Sequence, residues 1–181
     1  MKTKLLMLVL AAQSAWILGT AFMQERVLNV GQLILLETQP VDPRDLLRGD
    51  YVRLNYKISD VPVHLLPPSF SGDLPHPGEV FVALAPVGTN QFWEIMRAGL
   101  ESFTPAANEV LLRGKTAGIP NSVNSIRVEY GLEQYFVAEG TGHPHGKLTV
   151  QAAVSKSGRA NIKEVFVDGK PYAEAMKGQG R

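Results

Sequence analysis

The sequence predicts a mainly β protein that consists of a single N-terminal transmembrane helix followed by one compact antiparallel β domain with long loops. A β-rich α+β fold is the alternative. An apolar run long enough to cross a membrane lies near the amino terminus. Beyond it, short runs of β-branched and aromatic residues alternate with Gly- and Pro-containing turns, which is typical of strands. The roughly 155 residues after the run match the size of one domain with its own core.

The membrane segment is predicted at residues 5–23, where only four polar or glycine residues interrupt the apolar side chains. A helix over these 19 residues would rise about 28 Å, close to a hydrocarbon core of ~30 Å. Lys2 and Lys4 precede the run, so the positive-inside rule keeps the amino terminus in the cytoplasm. We therefore predict a single-pass protein of the inner (cytoplasmic) membrane. Residues 5–23 contact the lipid bilayer, and the C-terminal domain is in the periplasm or outside.

Signal-peptide cleavage is the alternative to anchoring. Small residues at 12–14 and 19–21 suit a signal peptidase, and cleavage there would release a soluble protein. The run is longer than the apolar region of a signal peptide, about 7–15 residues, and Trp16 and Phe22 suit a membrane interface. We expect the segment to be retained as an anchor.

Composition narrows the classes of partner. The formal net charge is +1 and the charges of both signs are interspersed, which argues against nucleic acid and against a polybasic lipid patch. The sequence has no cysteine, so packing without disulfides must hold the domain together, which suits an oxidising compartment. Three parts are expected: an anchor or signal segment at 1–26, the β-rich domain at 27–173 and a flexible tail at 174–181.

Proline and aspartate mark the first elements of the domain. Residues 27–31 are interpreted as a short stalk that leads into a first strand at 32–39. Asp42 before Pro43 matches an N-cap followed by proline at the first helical position, which predicts one helical turn. Residues 60–78 contain five prolines and predict a long loop.

The remaining chain predicts strands joined by turns. The predicted strands are at residues 79–85, 91–97, 109–115, 125–130, 147–155 and 160–168. Turns at 86–90 and 156–159 make hairpins of the first two and the last two of these strands. Residues 132–136 fit either a short helix or a strand, because the segment is too short for periodicity to decide.

Residues 49–56 combine a turn, strand alternation and two tyrosines. Asp50 after Gly49 suits a turn, and the next residues alternate between two faces. We expect Tyr56 to lie in the core with its hydroxyl hydrogen-bonded. The residues expected to point inward are Val52, Leu54, Tyr56 and Ile58, and those expected to point outward are Tyr51, Arg53, Asn55 and Lys57.

This octet resembles the motif that names the bacterial GDYXXLXY family. The matching residues are Gly49, Asp50, Tyr51, Leu54 and Tyr56. The similarity extends over residues 34–172, through segments at 40–45, 130–137 and 167–172. The resemblance implies a membrane-anchored extracytoplasmic domain, often encoded beside multi-pass membrane proteins. It implies no catalytic residues, because the family has none assigned.

A polar cluster at the motif is the first candidate site. The candidate residues for contact with a ligand carboxylate or a partner are Arg48, Asp50, Tyr51 and Arg53. The alternative, which we favour, is a structural turn in which Asp50 bonds backbone amides while nearby aspartates pair with the arginines.

Two closely spaced histidines are the second candidate. His143 and His145 could bind zinc or copper, but only Glu139 or the distant His64 and His76 are available to complete the coordination. We therefore expect exposed histidines in a turn, with no metal and no cofactor.

The sequence contains no recognisable catalytic motif for a hydrolase, a phosphate-binding enzyme or a thiol enzyme. The string RGDYV is similar to a strand of type I signal peptidases, but their serine motif and paired lysine are missing, so at most the fold carries over. We expect a non-catalytic accessory or interaction subunit of a membrane protein assembly, with a multi-pass membrane protein as its partner. The alternative is a periplasmic small-ligand-binding domain or a hydrolase-like enzyme with a signal-peptidase-like β fold.

Overall fold

The fold consists of a long N-terminal helix and a β-rich domain. The computed structural model describes residues 2–39, 51–67, 78–89, 92–116, 124–137, 144 and 146–179. Within these ranges the α-helices are α1 (Lys2–Val30) and α2 (Tyr172–Gln179). The strands are β1 (Gln32–Glu37), β2 (Tyr51–Arg53), β3 (Asp60–Pro62), β4 (Glu79–Val87), β5 (Phe92–Gly99), β6 (Val110–Thr116), β7 (Ser125–Glu129), β8 (Gln134–Phe136), β9 (Leu148–Val154), β10 (Ala160–Val167) and β11 (Lys170–Pro171).

One nine-stranded sheet dominates the domain. Its order is β11-β10-β9-β1-β5-β4-β6-β7-β3, and β2 and β8 form a separate two-stranded sheet. Neighbouring strands are antiparallel except β1 and β5, which are parallel where Leu35 faces Phe92. The predicted β-rich domain behind an apolar helix is confirmed, and this one pairing makes the sheet mixed.

Both predicted hairpins are present, since β4 pairs with β5 and β9 pairs with β10. The alternatives for residues 132–136 are decided in favour of a strand, β8. The loop predicted for residues 60–78 is wrong at its start, because β3 pairs there with β7. Pro62 fits this edge strand, since one side of such a strand needs no ladder donor. The helical turn predicted at Asp42 lies outside the described residues, as does the segment at 68–77.

The core lies against one face of the large sheet, because every second residue of its strands points the same way. The sheet residues buried there include Ile34, Leu36, Val80, Val82, Leu84, Val150, Ala152 and Val154. The segment after β2 covers this face and adds its own apolar side chains to the same cluster. The core is therefore covered by the octet and the residues that follow it, up to Leu66.

Helix α1 runs directly into the sheet. It ends at Val30, so the stalk predicted at residues 27–31 is wrong. The backbone N–H of Gly31 donates to the Val27 carbonyl at 2.9 Å, and the next residue begins β1. The last turns of α1 pack along β9 and β10, where the Asn161 side chain donates to the Gln24 carbonyl at 3.3 Å. These contacts keep the chain helical up to the first strand.

Helix α2 occupies most of the segment expected to be a flexible tail. Tyr172 and Met176 lie one helical turn apart and are 3% and 8% exposed, so both contribute to the core. The burial of these two side chains stabilises the helix, although the small and charged residues of the segment do not predict one. The limits of the domain at 27 and 173 stay a prediction.

We expect Gly31→Ala to destabilise the domain. A β carbon at Gly31 would contact the Val27 carbonyl oxygen and lie 3.0 Å from the Val154 carbonyl oxygen. Backbone atoms cannot move aside cheaply, so the expected cost is about 1–3 kcal/mol. Thermal unfolding of the full chain in detergent, followed by tryptophan fluorescence, measures it. Gly19→Ala is the control, because no atom lies within 4 Å of its β carbon; equal melting of both variants and the parent would contradict the packing described.

Candidate functional site

The described part of the octet, residues 51–56, begins with the short strand β2. Strand β2 pairs with β8, with Tyr51 facing Phe136 and Arg53 facing Gln134. The Leu54 N–H extends this contact by donating to the Glu133 carbonyl at 2.8 Å. The chain therefore lies against residues 133–136 along this stretch.

The inward alternation of the octet is confirmed by burial. Val52 and Tyr56 are fully buried, and Leu54 and Ile58 are 2% and 4% exposed. The strand itself is shorter than the alternation predicts. It ends at Arg53, and a 3₁₀ turn follows at Lys57–Ser59.

Two tyrosine hydroxyls connect separate segments inside the core. The Tyr56 hydroxyl donates to the Leu132 carbonyl at 2.6 Å, and the Tyr130 hydroxyl donates to the Ile58 carbonyl at 2.7 Å. Burial raises the pKa of both hydroxyls, and the nearby Glu133 carboxylate raises them further. Both groups are therefore neutral donors at physiological pH, which is what the prediction of a bonded core Tyr56 requires.

A half-buried polar network lies beside the octet. Its members are Gln39, Asn55, Asp60 and Arg127. Arg127 bonds Asp60 at 3.1 Å and also donates to the Asn55 side chain. Gln39 donates to Asp60 at 3.2 Å and accepts from Asn55 at 3.3 Å. The network joins the segment after β1, the octet, β3 and β7, and it stabilises their arrangement.

The candidate contact residues are only partly within the described ranges. Arg48, Gly49 and Asp50 lie outside them, so a cluster of Arg48 and Asp50 with Tyr51 and Arg53 stays a prediction. Arg53 is exposed. Tyr51 is half-buried, and its ring is 6.0 Å from the ring of Phe136, which is 72% exposed. The sequence contains no signal for this aromatic pair, because the pattern of residues 132–136 fits a helix as well as a strand.

The histidine candidates give no coordination geometry. His76, His143 and His145 lie outside the described residues, as does Glu139. His64 is exposed on the 3₁₀ turn Val63–Leu65. Within the described ranges, no three His, Cys, Asp or Glu side chains gather in an arrangement suited to a metal ion.

Two carboxylates have lowered pKa values because they are paired with cations. Hydrogen bonds from Lys147 and then Lys57 lower the pKa of Glu37 at the end of β1. A hydrogen bond from Arg97, at 2.6 Å, and one from the Ala106 N–H lower the pKa of Glu109. Both carboxylates are ionised at neutral pH, and neither has the raised pKa of a general acid.

The fold and the octet define a class of protein: a β-rich domain joined without a linker to one apolar N-terminal helix, which is long enough to cross a membrane. Leu54 and Tyr56 of the octet are structural residues of its core. The chain belongs to the GDYXXLXY family, whose model, described as GDYXXLXY protein, matches residues 13–165. No curated protein and no solved structure matches the chain.

We expect Tyr56→Phe to lower stability at pH 8 by about 0.5–1.5 kcal/mol, because the bond to the Leu132 carbonyl is lost. In urea unfolding at pH 8, Tyr51→Phe is the matched control, since the Tyr51 hydroxyl has no hydrogen bond in the described part of the chain. A parent-like free energy of unfolding for Tyr56→Phe would contradict the role assigned to this bond.

The same variant, Tyr56→Phe, tests how the free energy of unfolding depends on pH above pH 8. The pKa of a tyrosine in the unfolded chain is near 10, whereas burial raises the pKa of Tyr56 in the folded protein. The stability that the protonated Tyr56 contributes below pH 10 is therefore lost as the pH rises above 10. The slope is up to about 1.4 kcal/mol per pH unit for each such tyrosine. We expect the parent to lose stability above pH 10 more steeply than Tyr56→Phe, so the gap between them narrows. Parallel curves between pH 8 and pH 11 would show that Tyr56 is not protected from ionisation.

Proposed function

We propose that this protein is a single-pass membrane subunit whose β-rich domain lies outside the cytoplasm and binds a multi-pass membrane protein, without catalysing a reaction itself. The observation that carries the proposal is the surface of α1. Its apolar side chains are exposed all round, with Leu5, Leu8, Ile17 and Phe22 each between 64% and 66% exposed. A helix apolar on every side needs lipid or protein around it.

The length of α1 supports a span that continues into the domain. Its 29 residues rise about 44 Å, roughly 14 Å more than a hydrocarbon core of ~30 Å. The apolar run ends at Met23, so the last two turns of α1 extend beyond the core and join the sheet. With Lys2 and Lys4 at the other end, the positive-inside rule favours a cytoplasmic amino terminus.

An interaction role is favoured by how the domain is attached. Gly31 alone separates α1 from β1, which lies in the interior of the large sheet. A change in the tilt of α1 would therefore move the sheet with it. The described motif residues Leu54 and Tyr56 serve the core, which leaves the exposed face of the domain and the helix surface for a partner.

We expect alkaline phosphatase fused after Gln179 to be active in a Gram-negative host, because the enzyme needs an oxidising compartment. A green fluorescent protein fused at the same position should be dark. A variant with Lys2→Glu and Lys4→Glu is the control, since it weakens the charge bias and should shift some chains to the opposite topology. Bright fluorescence with inactive phosphatase in the parent chain would reverse the orientation.

Photo-crosslinking tests the partner. Two sets of positions lie on opposite sides of α1 at about 100° per residue: Leu6, Leu10 and Ile17 on one, and Leu8, Ala15 and Phe22 on the other. We expect a photoreactive side chain on one side to form a discrete adduct with one membrane protein, while the opposite side serves as the control and labels lipid. Lipid adducts alone from both sides would contradict a partner bound through this helix.

A further inference from the structure

A groove of about 870 Å³ lies where α1 meets the turn between β9 and β10. Met23, Arg26, Val27 and Val30 form its helix wall, and their spacing of three, four and seven residues places them on one face of α1. The opposite wall includes Lys156 and Arg159 of the turn and the apolar β6 residues Val110 and Leu111. The groove is thus apolar in part and basic at its edge.

The position of Arg159 shows at what level of the membrane this groove lies. Besides this groove, Arg159 also lines a neighbouring cavity of about 560 Å³, together with Thr20 and Met23. Thr20 and Met23 lie in the last helical turn of the apolar run. The turn between β9 and β10 therefore reaches back along α1 to the level where the run leaves the hydrocarbon core. That level is the lipid headgroup layer, which is about 5–8 Å thick on each side. This step depends on the proposed membrane span of α1.

The charge of the groove is positive. Arg26, Lys156 and Arg159 are exposed and form no ion pair in the described part of the chain. The carboxylate in the described lining is Glu109, which is already paired with Arg97 at 2.6 Å. Guanidinium and ammonium groups at a membrane surface attract phosphate oxygens.

We propose that the groove binds the headgroup phosphate of an anionic phospholipid in the outer leaflet, through Arg26, Lys156 and Arg159. An acyl chain of the same lipid lies along α1 from Met23 towards Thr20, on the hydrocarbon side of Arg26. The two chemistries of the site, basic at the headgroup level and apolar beside the helix, match the two parts of one phospholipid. The lipid holds the domain at a fixed height and rotation on the membrane.

The test uses the full chain in nanodiscs of equal parts phosphatidylglycerol and phosphatidylcholine, with native mass spectrometry of the lipid that stays bound. The parent should retain mainly phosphatidylglycerol. In the Lys156→Gln/Arg159→Gln variant that preference should fall by about tenfold or more, since each basic residue near a membrane surface contributes a factor of about five. Raised salt should weaken the preference of the parent as well.

Two controls separate the site from general surface charge and from misfolding. Lys163→Gln/Lys170→Gln removes the same charge from exposed positions outside the groove and should keep the preference. Lys156→Arg/Arg159→Lys keeps the charge of the site and should also keep the preference for phosphatidylglycerol. A parent with no preference, or equal losses in the groove variant and the Lys163/Lys170 control, overturns the proposal. A chain that fails to insert into nanodiscs overturns the proposed function and this inference together, whereas insertion without lipid preference overturns this inference alone.

Discussion

The hydrogen bond from the Tyr56 hydroxyl to the Leu132 carbonyl is the contact on which the motif region depends. The β2 and β8 strands have three residues each, and a strand pair of that size is not stable by itself in water. Tyr56 joins this pair to the large sheet, because its ring is buried in the core and its backbone bridges to Thr38, just after β1. A single residue therefore connects the small sheet, the core and the end of an interior strand.

Local patterns predicted most of the strands, because alternation and turn residues are properties of neighbouring positions. They also predicted the inward face of the octet, including the bonded hydroxyl of Tyr56. Local patterns did not predict that α1 continues to Val30 or that residues after Tyr172 form a helix. Both outcomes depend on packing against β10, a strand that is distant in sequence from the end of α1.

The candidate sites show the same limit. The network around Arg127 takes one side chain from each of four segments, so no short motif signals it. Likewise, an overall charge of +1 argues against a basic lipid patch, yet the fold brings Arg26 beside Lys156 and Arg159. Net charge is a sum over the whole surface and carries no information about which charges become neighbours.

The interior position of β1 determines the order in which the domain can be completed. β1 is the first strand in the chain, but its antiparallel partner β9 spans Leu148–Val154, more than a hundred residues later. Pairings between such distant segments form slowly, because a long loop must close before any contact is gained. As the chain is synthesised, the edge of β1 that β9 covers therefore stays unpaired until β9 has been added, whereas the other edge can pair with β5 much earlier. A chain that stops before β9 leaves this apolar strand open to aggregation or proteolysis, so only almost complete molecules reach a protected state.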